Sequence, residues 1–313
     1  MEGPLPGNGF GGRNGRLMIT ATEARSGKGH TDENFPVASR LIQSRHRAPI
    51  LAFYRFVRAA DDIADHPKLA PDEKLRMLDR LDEALTGRGP SDPEAEPLKS
   101  ALAERGLSAR HALDLLDAFR MDATKLRYAD WRELMHYCSL SAMPVGRFVL
   151  DVHGESPQTT WPASDAICAA LQVVNHLQDC GTDYRNLDRV YVPLDTLSRY
   201  GSRVEDLGGA QATAGLRAAI AALADRSLEL LSDGALLADL VTDTRLAMEI
   251  AAIRRLSVNL ATGLKHRDPL KDKVHHGRAG FALIAFVSAA GVLLRRPFVK
   301  RAVVAAPAGT RRL

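Results

Sequence analysis

The stretch Tyr54-Arg-Phe-Val-Arg-Ala-Ala-Asp-Asp-Ile-Ala-Asp65 decides the fold of this chain. It contains no helix-breaking residue and continues the apolar run at 49–53, so the sequence predicts a helix that stops at His66-Pro67. Four polar residues of that helix, spaced 4, 3 and 4 positions apart, fall on one stripe: Tyr54, Arg58, Asp61 and Asp65.

The carboxylates of this stretch repel one another. Asp61 and Asp65 are like charges one helical turn apart, which destabilises an isolated helix by roughly 0.2–0.5 kcal/mol. Asp62 adds a third negative charge, and Arg58 alone cannot neutralise all three. A divalent cation could do so. The alternative interpretation is a solvated acidic helix end that binds no ion. A second, matching group of oxygen ligands elsewhere in the chain would favour the cation site.

A second polar stripe lies on the helix predicted from the Trp161-Pro162 signal to about Asp183. Its members sit in an otherwise apolar sequence: Gln172, Asn175, Asp179 and Asp183. Burying them without partners is costly, so a core hydrogen-bond network is one interpretation. Two oxygen-rich helices could instead hold Mg²⁺ between them. Mg²⁺ usually binds one or two carboxylates together with phosphate oxygens, which indicates a diphosphate substrate.

The rest of the chain also has helical periodicity. No run alternates long enough for a sheet, and no internal repeat is present. The sequence therefore predicts an all-α, single-domain bundle of roughly ten helices. Beyond the two motif helices, it predicts helices at about 30–45, 71–87, 98–105, 108–124, 131–153 with a kink at Pro144, 211–232, 236–265 and 278–296.

Composition limits the class of protein. The chain has 313 residues, of which 45% are hydrophobic, and its mean hydropathy is −0.16, values typical of a water-soluble domain. Its three cysteines lack metal-ligand spacing, which favours a reducing, cytoplasmic location. The Gly-rich segment 1–29 has no signal-peptide pattern and is predicted to be disordered.

The C-terminal segment 271–313 is basic. From Lys273 onward it has eight Lys or Arg residues and no acid, and these flank the uncharged, largely apolar run 279–294. Sixteen residues fall short of the roughly 20 that span a bilayer. A terminal helix packed on the domain and a helix lying on an anionic membrane face are both compatible with this pattern. Nucleic-acid binding is disfavoured, because no aromatic residues alternate with the cations.

Four segments in order resemble the squalene/phytoene synthase family across roughly 30–270. The matching segments are Arg58–Asp65, Gln172–Asp183, Tyr137-Cys138 leading to Val145-Gly146, and Arg189-Val-Tyr-Val-Pro193. The resemblance implies an all-α isoprenoid synthase bundle with a central cavity. It also implies that prenyl diphosphate is ionised with the help of two or three Mg²⁺ ions.

The resemblance also implies roles for individual residues. The metal ligands would be Asp61, Asp65, Asn175, Asp179 and Asp183, and the acids among them would serve catalysis. Diphosphate or substrate contacts would come from Arg58, Asp62 and Gln172. Tyr137 would line the reaction centre, with Phe35 and Tyr54 as further aromatic candidates. Arg189 and Tyr191 either close over the diphosphate or form a surface-loop ion pair. From their positions in the sequence, Asp122 and Lys125 are supporting candidates only. Arg147, near the helix kink, could reach the diphosphate, with an interhelical salt bridge as the alternative.

Two departures from the family pattern bear on the substrate. Residues 32–36 read Asp-Glu-Asn-Phe-Pro where a Ser-rich, basic segment is usual, and Gln178 stands where Arg is usual. Both resemble a bacterial branch, found in hopanoid operons, that acts on presqualene diphosphate. The two departures leave less positive charge near the expected diphosphate site than the usual family pattern has, which suits a substrate with one diphosphate. Joining two prenyl diphosphates is the alternative reaction. Such hydrophobic substrates also suggest peripheral contact with the inner membrane face and with neighbouring squalene-pathway enzymes.

Overall fold

The structure is a computed structural model that describes residues 42–272, 274 and 284–296. Within these ranges the chain is all-α, as predicted, and its only β-type pairing there is an isolated bridge between Arg127 and Val190. The helices are α1 (Ser44–Ala64), α2 (Pro71–Thr86), α3 (Glu96–Arg105), α4 (Arg110–Thr124), α5 (Trp131–Ser141), α6 (Met143–Val152), α7 (Pro157–Leu187), α8 (Leu194–Arg199), α9 (Ala214–Asp233), α10 (Leu237–Leu240), α11 (Thr244–Leu264) and α12 (284–296).

The long predicted helix at 131–153 is two helices. Ala142 has φ −128° and ψ −46°, which separates α5 from α6, and Pro144 lies in the first turn of α6, where its missing N–H does no harm. Gly146 then allows α6 to approach α7 closely, because a Cβ there would overlap Ser164 Oγ and Cys168 Sγ. The predicted interruption is therefore confirmed, and it is a complete break.

Three predicted boundaries were wrong. The helix predicted at about 30–45 does not end at Arg45, because 42–43 are not helical and Ser44 begins α1; its residues before 42 lie outside the described residues. Helix α7 begins at Pro157 and includes Pro162, so the Trp161-Pro162 signal lies inside the helix. The predicted helix at 236–265 is divided before Asp243, whose side chain accepts hydrogen bonds from the first turn of α11. The buried Glu155 carboxylate accepts from the backbone N–H groups of Thr242 and Asp243. Long-range caps of this kind leave no periodic signal in the sequence.

The terminal helix α12 packs on the bundle through one face. Val292 is fully buried in an apolar cluster with Leu231, Leu237 and Val241. The Arg296 guanidinium donates to the Val241 carbonyl oxygen. Residues 284–296 thus form a helix with one face packed on the bundle. No helix within the described ranges is long and apolar enough to cross a bilayer.

Candidate active site

The two motif helices end at the same end of the bundle. Arg189 follows the C-terminus of α7, and its side chain donates to the Asp65 carboxylate and, at 2.9 Å, to the Ala64 carbonyl oxygen. Both acceptors lie at the C-terminus of α1. The acidic ends of α1 and α7 are therefore held side by side, although they are more than a hundred residues apart in sequence.

An apolar cavity of about 410 Å³ lies between these helices. From α1 it is lined by Tyr54 and Val57, and from α7 by Leu171 and Asn175. Asp61 follows Val57 by one helical turn, and Asp179 follows Asn175 by one turn. The rows of lining residues thus continue into the aspartates, which places both motifs at the mouth of a hydrocarbon-lined cavity.

Arg58 is shared between two carboxylates of the first motif. Arg58 contacts Asp61 Oδ2 at 2.9 Å and Asp62 Oδ1 at 2.8 Å. The Asp62 side chain is buried, whereas that of Asp61 remains 30% exposed at the rim. Desolvation and the adjacent Asp65 charge raise the pKa of Asp61, and Arg58 only partly opposes them. An added cation would relieve this repulsion.

The second motif presents its polar groups along one face of α7. Asn175 is half-buried in the cavity wall, Asp179 is exposed and Asp183 is half-buried. Gln172 Nε2 lies 3.1 Å from His176 Nε2. His176 Nδ1 is 3.9 Å from Asp183 Oδ2. The stripe is therefore a connected polar row that leads out of the cavity.

A buried cluster behind the mouth contains residues that sequence reasoning underrated. The Asp122 carboxylate accepts hydrogen bonds from the hydroxyls of Tyr137 and Tyr191, each at 2.7 Å. The His176 ring stacks on Tyr191 with centroids 3.5 Å apart. Burial and the Asp122 charge raise the pKa of both tyrosines well above the usual value, so both hydroxyls remain protonated donors.

The position of this cluster corrects several sequence interpretations. Arg189 and Tyr191 are buried, so the surface-loop alternative is wrong. Tyr137 binds Asp122 and is not among the residues that line the apolar cavity. Asp122, only a supporting candidate in the sequence, is the shared acceptor of both tyrosines. The predicted stripe on α7 omits His176, although the spacing of Gln172, His176, Asp179 and Asp183 (4, 3 and 4) could have identified it.

Other predicted residues lie elsewhere. Arg147 forms a two-pronged salt bridge with Asp165, at 2.8 and 2.6 Å, so the interhelical alternative is confirmed. Lys125 pairs with Glu133. The buried Gln178 amide donates to the Val274 carbonyl oxygen, and its effect on charge at the diphosphate site stays a prediction. Phe35 and residues 32–34 lie outside the described residues.

We expect Tyr191→Phe to lower the free energy of unfolding by about 1–3 kcal/mol, because one oxygen of the buried Asp122 carboxylate loses its donor. Urea denaturation measures the loss. Tyr200→Phe is the matched control, since its side chain is exposed, and it should change stability by less than about 0.5 kcal/mol. Equal losses in the two variants would contradict the assigned hydrogen bond.

The acidic mouth fits a divalent cation bound together with a diphosphate. Its donors are carboxylate and amide oxygens, the ligands that Mg²⁺ prefers. The first motif holds three carboxylates, and its neighbouring cations are Arg58, Arg189 and Lys74; the second motif holds Asp179 and Asp183. Burial first, and then the adjacent Asp65 charge, raise the pKa of Asp61.

A different cluster of ionisable groups lies at the start of α1. His46, His153 and Asp243 offer ligand atoms within 4.8 Å of one another. The two rings are stacked 4.2 Å apart with 29° between their planes, so one ion cannot lie in both ring planes without a rotation. His46 precedes Asp61 by 15 residues on α1, a separation of about 22 Å. This cluster is therefore separate from the acidic mouth.

We expect the chain to lose stability as the pH falls from about 7 to about 5, in part through His46. Burial and the neighbouring His153 lower its folded-state pKa. Stabilisation by the neutral ring is then complete above the unfolded value, about 6.5, and is lost as pH falls through the folded value. His46→Gln should flatten the pH dependence of the melting temperature. His266→Gln, at an exposed position, should leave the pH dependence of the melting temperature unchanged. An equal flattening in the His266 variant would contradict the assignment of the effect to His46.

The fold and the paired acidic motifs define an isoprenoid synthase, a class of enzyme that depends on divalent metal ions. Residues 28–290 match the family model described as squalene/phytoene synthase. The chain belongs to the squalene/phytoene synthase family.

Relatives within this family are similar over nearly the whole chain. The hydroxysqualene synthase of Rhodopseudomonas palustris is 55% identical over 283 residues, which cover 90% of this chain and 97% of that protein. The hydroxysqualene synthase of Zymomonas mobilis is 47% identical, over 88% of this chain and 93% of that protein. Among solved structures, squalene synthase HpnC from Alicyclobacillus acidocaldarius aligns with a TM-score of 0.65 and 33% identity, over 73% and 86% of the two chains.

Proposed function

We propose that this chain is a hydroxysqualene synthase that converts presqualene diphosphate and water into hydroxysqualene and diphosphate. The observation that carries the proposal is an apolar cavity between α1 and α7 whose lining residues on both helices lie one helical turn before a carboxylate motif. A cavity of this kind suits a substrate with a long hydrocarbon body and one anionic end. High identity to hydroxysqualene synthases, rather than to phytoene synthases at 32%, supports the choice within the family.

The carboxylates at the mouth would bind the leaving group through metal ions. Asp61 and Asp65 on α1, with Asn175, Asp179 and Asp183 on α7, would hold two or three Mg²⁺. Bound there, Mg²⁺ supplies Lewis-acid neutralisation of the negative charge that develops on diphosphate. Arg58 supports Asp61 and Asp62, and in the complex it would contact diphosphate.

The walls of the cavity would govern the fate of the carbocation after ionisation. The C–O bond breaks, its electron pair leaves with diphosphate, and the rearranged carbocation is held among apolar side chains. Tyr54, in the cavity wall, offers a ring face that can stabilise the cation. Water then forms the new C–O bond and releases a proton. The surrounding apolar residues limit how many water molecules reach the cation.

Arg189, Asp122 and Tyr191 would act as positioning residues. Arg189 fixes Asp65 at the end of α1 and also donates to the Asp122 carbonyl oxygen at 3.1 Å. Tyr191 packs its ring against His176, which belongs to the polar face of α7. A single buried network thus sets the relative position of the two metal-binding motifs, and this supports a preorganised site.

Separate assays with presqualene diphosphate alone and with farnesyl diphosphate alone test the proposal. The purified full chain with Mg²⁺ should release diphosphate and form hydroxysqualene from the first and should leave the second unchanged. Mass spectrometry in H₂¹⁸O should show one ¹⁸O in the alcohol. Turnover of farnesyl diphosphate would instead identify a synthase that joins two prenyl diphosphates.

The proposed substrate and product are long hydrocarbons that partition out of water. We therefore also propose that the enzyme exchanges them at a membrane surface, in contact with neighbouring enzymes of squalene formation. Retention of radiolabelled product in added vesicles, rather than in the aqueous phase, would be the expected result.

A further inference from the structure

Helix α12 has an inner face that packs on the bundle and an outer face that is apolar and exposed. The inner face consists of Ser288, Val292 and Arg296, which are buried and spaced four residues apart. The outer face carries large apolar side chains, of which Phe286 is 72% and Leu294 73% exposed. A helix that only completed the core would have polar residues there.

The exposed apolar surface continues onto the neighbouring segment. Leu236 and Leu240 are exposed at the two ends of α10, while Leu237 between them packs in the same cluster as Val292. We call the combined surface the α10–α12 face: Leu236, Leu240, Phe286, Val287, Leu293 and Leu294. These are six of the ten exposed large apolar residues in the described part of the chain. Such concentration marks an interaction surface.

Positive charge borders this face. Arg295 is exposed beside Leu294. Burial and, second, the charge of Arg295 lower the pKa of the nearby Arg254. The sequence after α12, which lies outside the described residues, contains Lys300 and Arg301, and no acid occurs after Asp272. Helix α10 has one acid, Asp239. Apolar residues rimmed by cations are the pattern of a helix lying on anionic lipid.

The same elements separate the α10–α12 face from the apolar cavity. Leu237 lines the cavity and also belongs to the cluster that contains Val292, so one layer of side chains lies between the cavity and the exposed face. We propose that the α10–α12 face docks on an anionic membrane surface. This orientation brings the inner end of the cavity to the lipid, a consequence that rests on the proposed function, whereas the docking itself does not.

Co-sedimentation of the full chain with vesicles tests the docking. The chain should bind vesicles that contain phosphatidylglycerol more tightly than vesicles of phosphatidylcholine alone. The double variant L293Q/L294Q should bind at least about tenfold more weakly, because two exposed leucines no longer enter the lipid. Arg295→Gln should weaken binding about fivefold, and only to the anionic vesicles.

The matched control is the double variant L194Q/Y200Q, which removes two exposed apolar side chains on and beside α8 and should bind as the unaltered chain does. Unchanged binding of L293Q/L294Q would overturn the proposal. So would ultracentrifugation that shows a dimer of the chain dissociated by L293Q/L294Q, since the face would then pair two copies. Turnover of presqualene diphosphate in detergent should be the same in all variants. If no variant and not even the unaltered chain turned over presqualene diphosphate, the proposed function would be refuted, whereas the docking result would stand.

Discussion

Asp179→Asn is expected to lower the turnover of presqualene diphosphate by about 10³-fold, and Asp61→Asn by a similar factor. Asparagine keeps the size of the side chain but removes one negative charge from a mouth where carboxylates would hold Mg²⁺. Charge stabilisation of the leaving group is the main source of rate in such a site. Steady-state kinetics over a series of Mg²⁺ concentrations measures the effect, and the apparent affinity for Mg²⁺ should fall with turnover.

A matched control separates this effect from a general loss of acidic charge. Asp117→Asn removes an exposed carboxylate on α4 that pairs with Arg120, and it should leave turnover unchanged. Circular dichroism should show the same helix content in all three variants. If Asp179→Asn retained more than about a tenth of the activity, the assignment of α7 as a metal-binding helix would be wrong.

Arg189→Met is expected to lower the free energy of unfolding by about 3–5 kcal/mol, the usual cost of removing one partner from a buried charge network. The guanidinium is buried and contacts Asp65, the Ala64 carbonyl oxygen and the Asp122 carbonyl oxygen. Methionine fills similar volume but provides neither a donor nor a charge. The Asp122 carbonyl oxygen would lose a donor and the buried Asp122 carboxylate would lose the nearby positive charge. Asp65 is 40% exposed and the Ala64 carbonyl oxygen keeps Lys74 as a donor, so these two acceptors add less to the loss. Turnover should also fall, because α1 would no longer be tied to the end of α7.

The control for this variant is Arg203→Met. Arg203 is 79% exposed and pairs loosely with Glu205 and Asp206, so its removal should cost less than about 1 kcal/mol. Chemical denaturation of both variants gives the comparison. A loss at Arg189 no larger than that at Arg203 would show that the link between α1 and α7 does not stabilise the fold.

Much of the fold and part of the site could be read from local patterns. Helix α2, for example, begins at Pro71 and ends at Gly87, whose φ of +74° suits a glycine after a helix, and both signals are visible in the sequence. The break before Asp243 was missed although Asp243 caps α11 locally, because the backbone N–H groups of the break donate to Glu155 on a distant segment. The hydrogen-bond partner of Gln178 could not be predicted either, because Val274 lies 96 positions away in the sequence.

The sequence by itself determined that the chain is helical and that two of its helices carry metal-type oxygen ligands, because helical spacing alone places such residues on one face. Only the tertiary structure decided that the stretch Tyr54–Asp65 meets the end of α7, that Arg189 makes the connection, and that Asp122 organises two tyrosines behind it. Those contacts join residues from separate helices. Helical periodicity fixes directions around one axis, whereas the packing of side chains between axes fixes which faces meet.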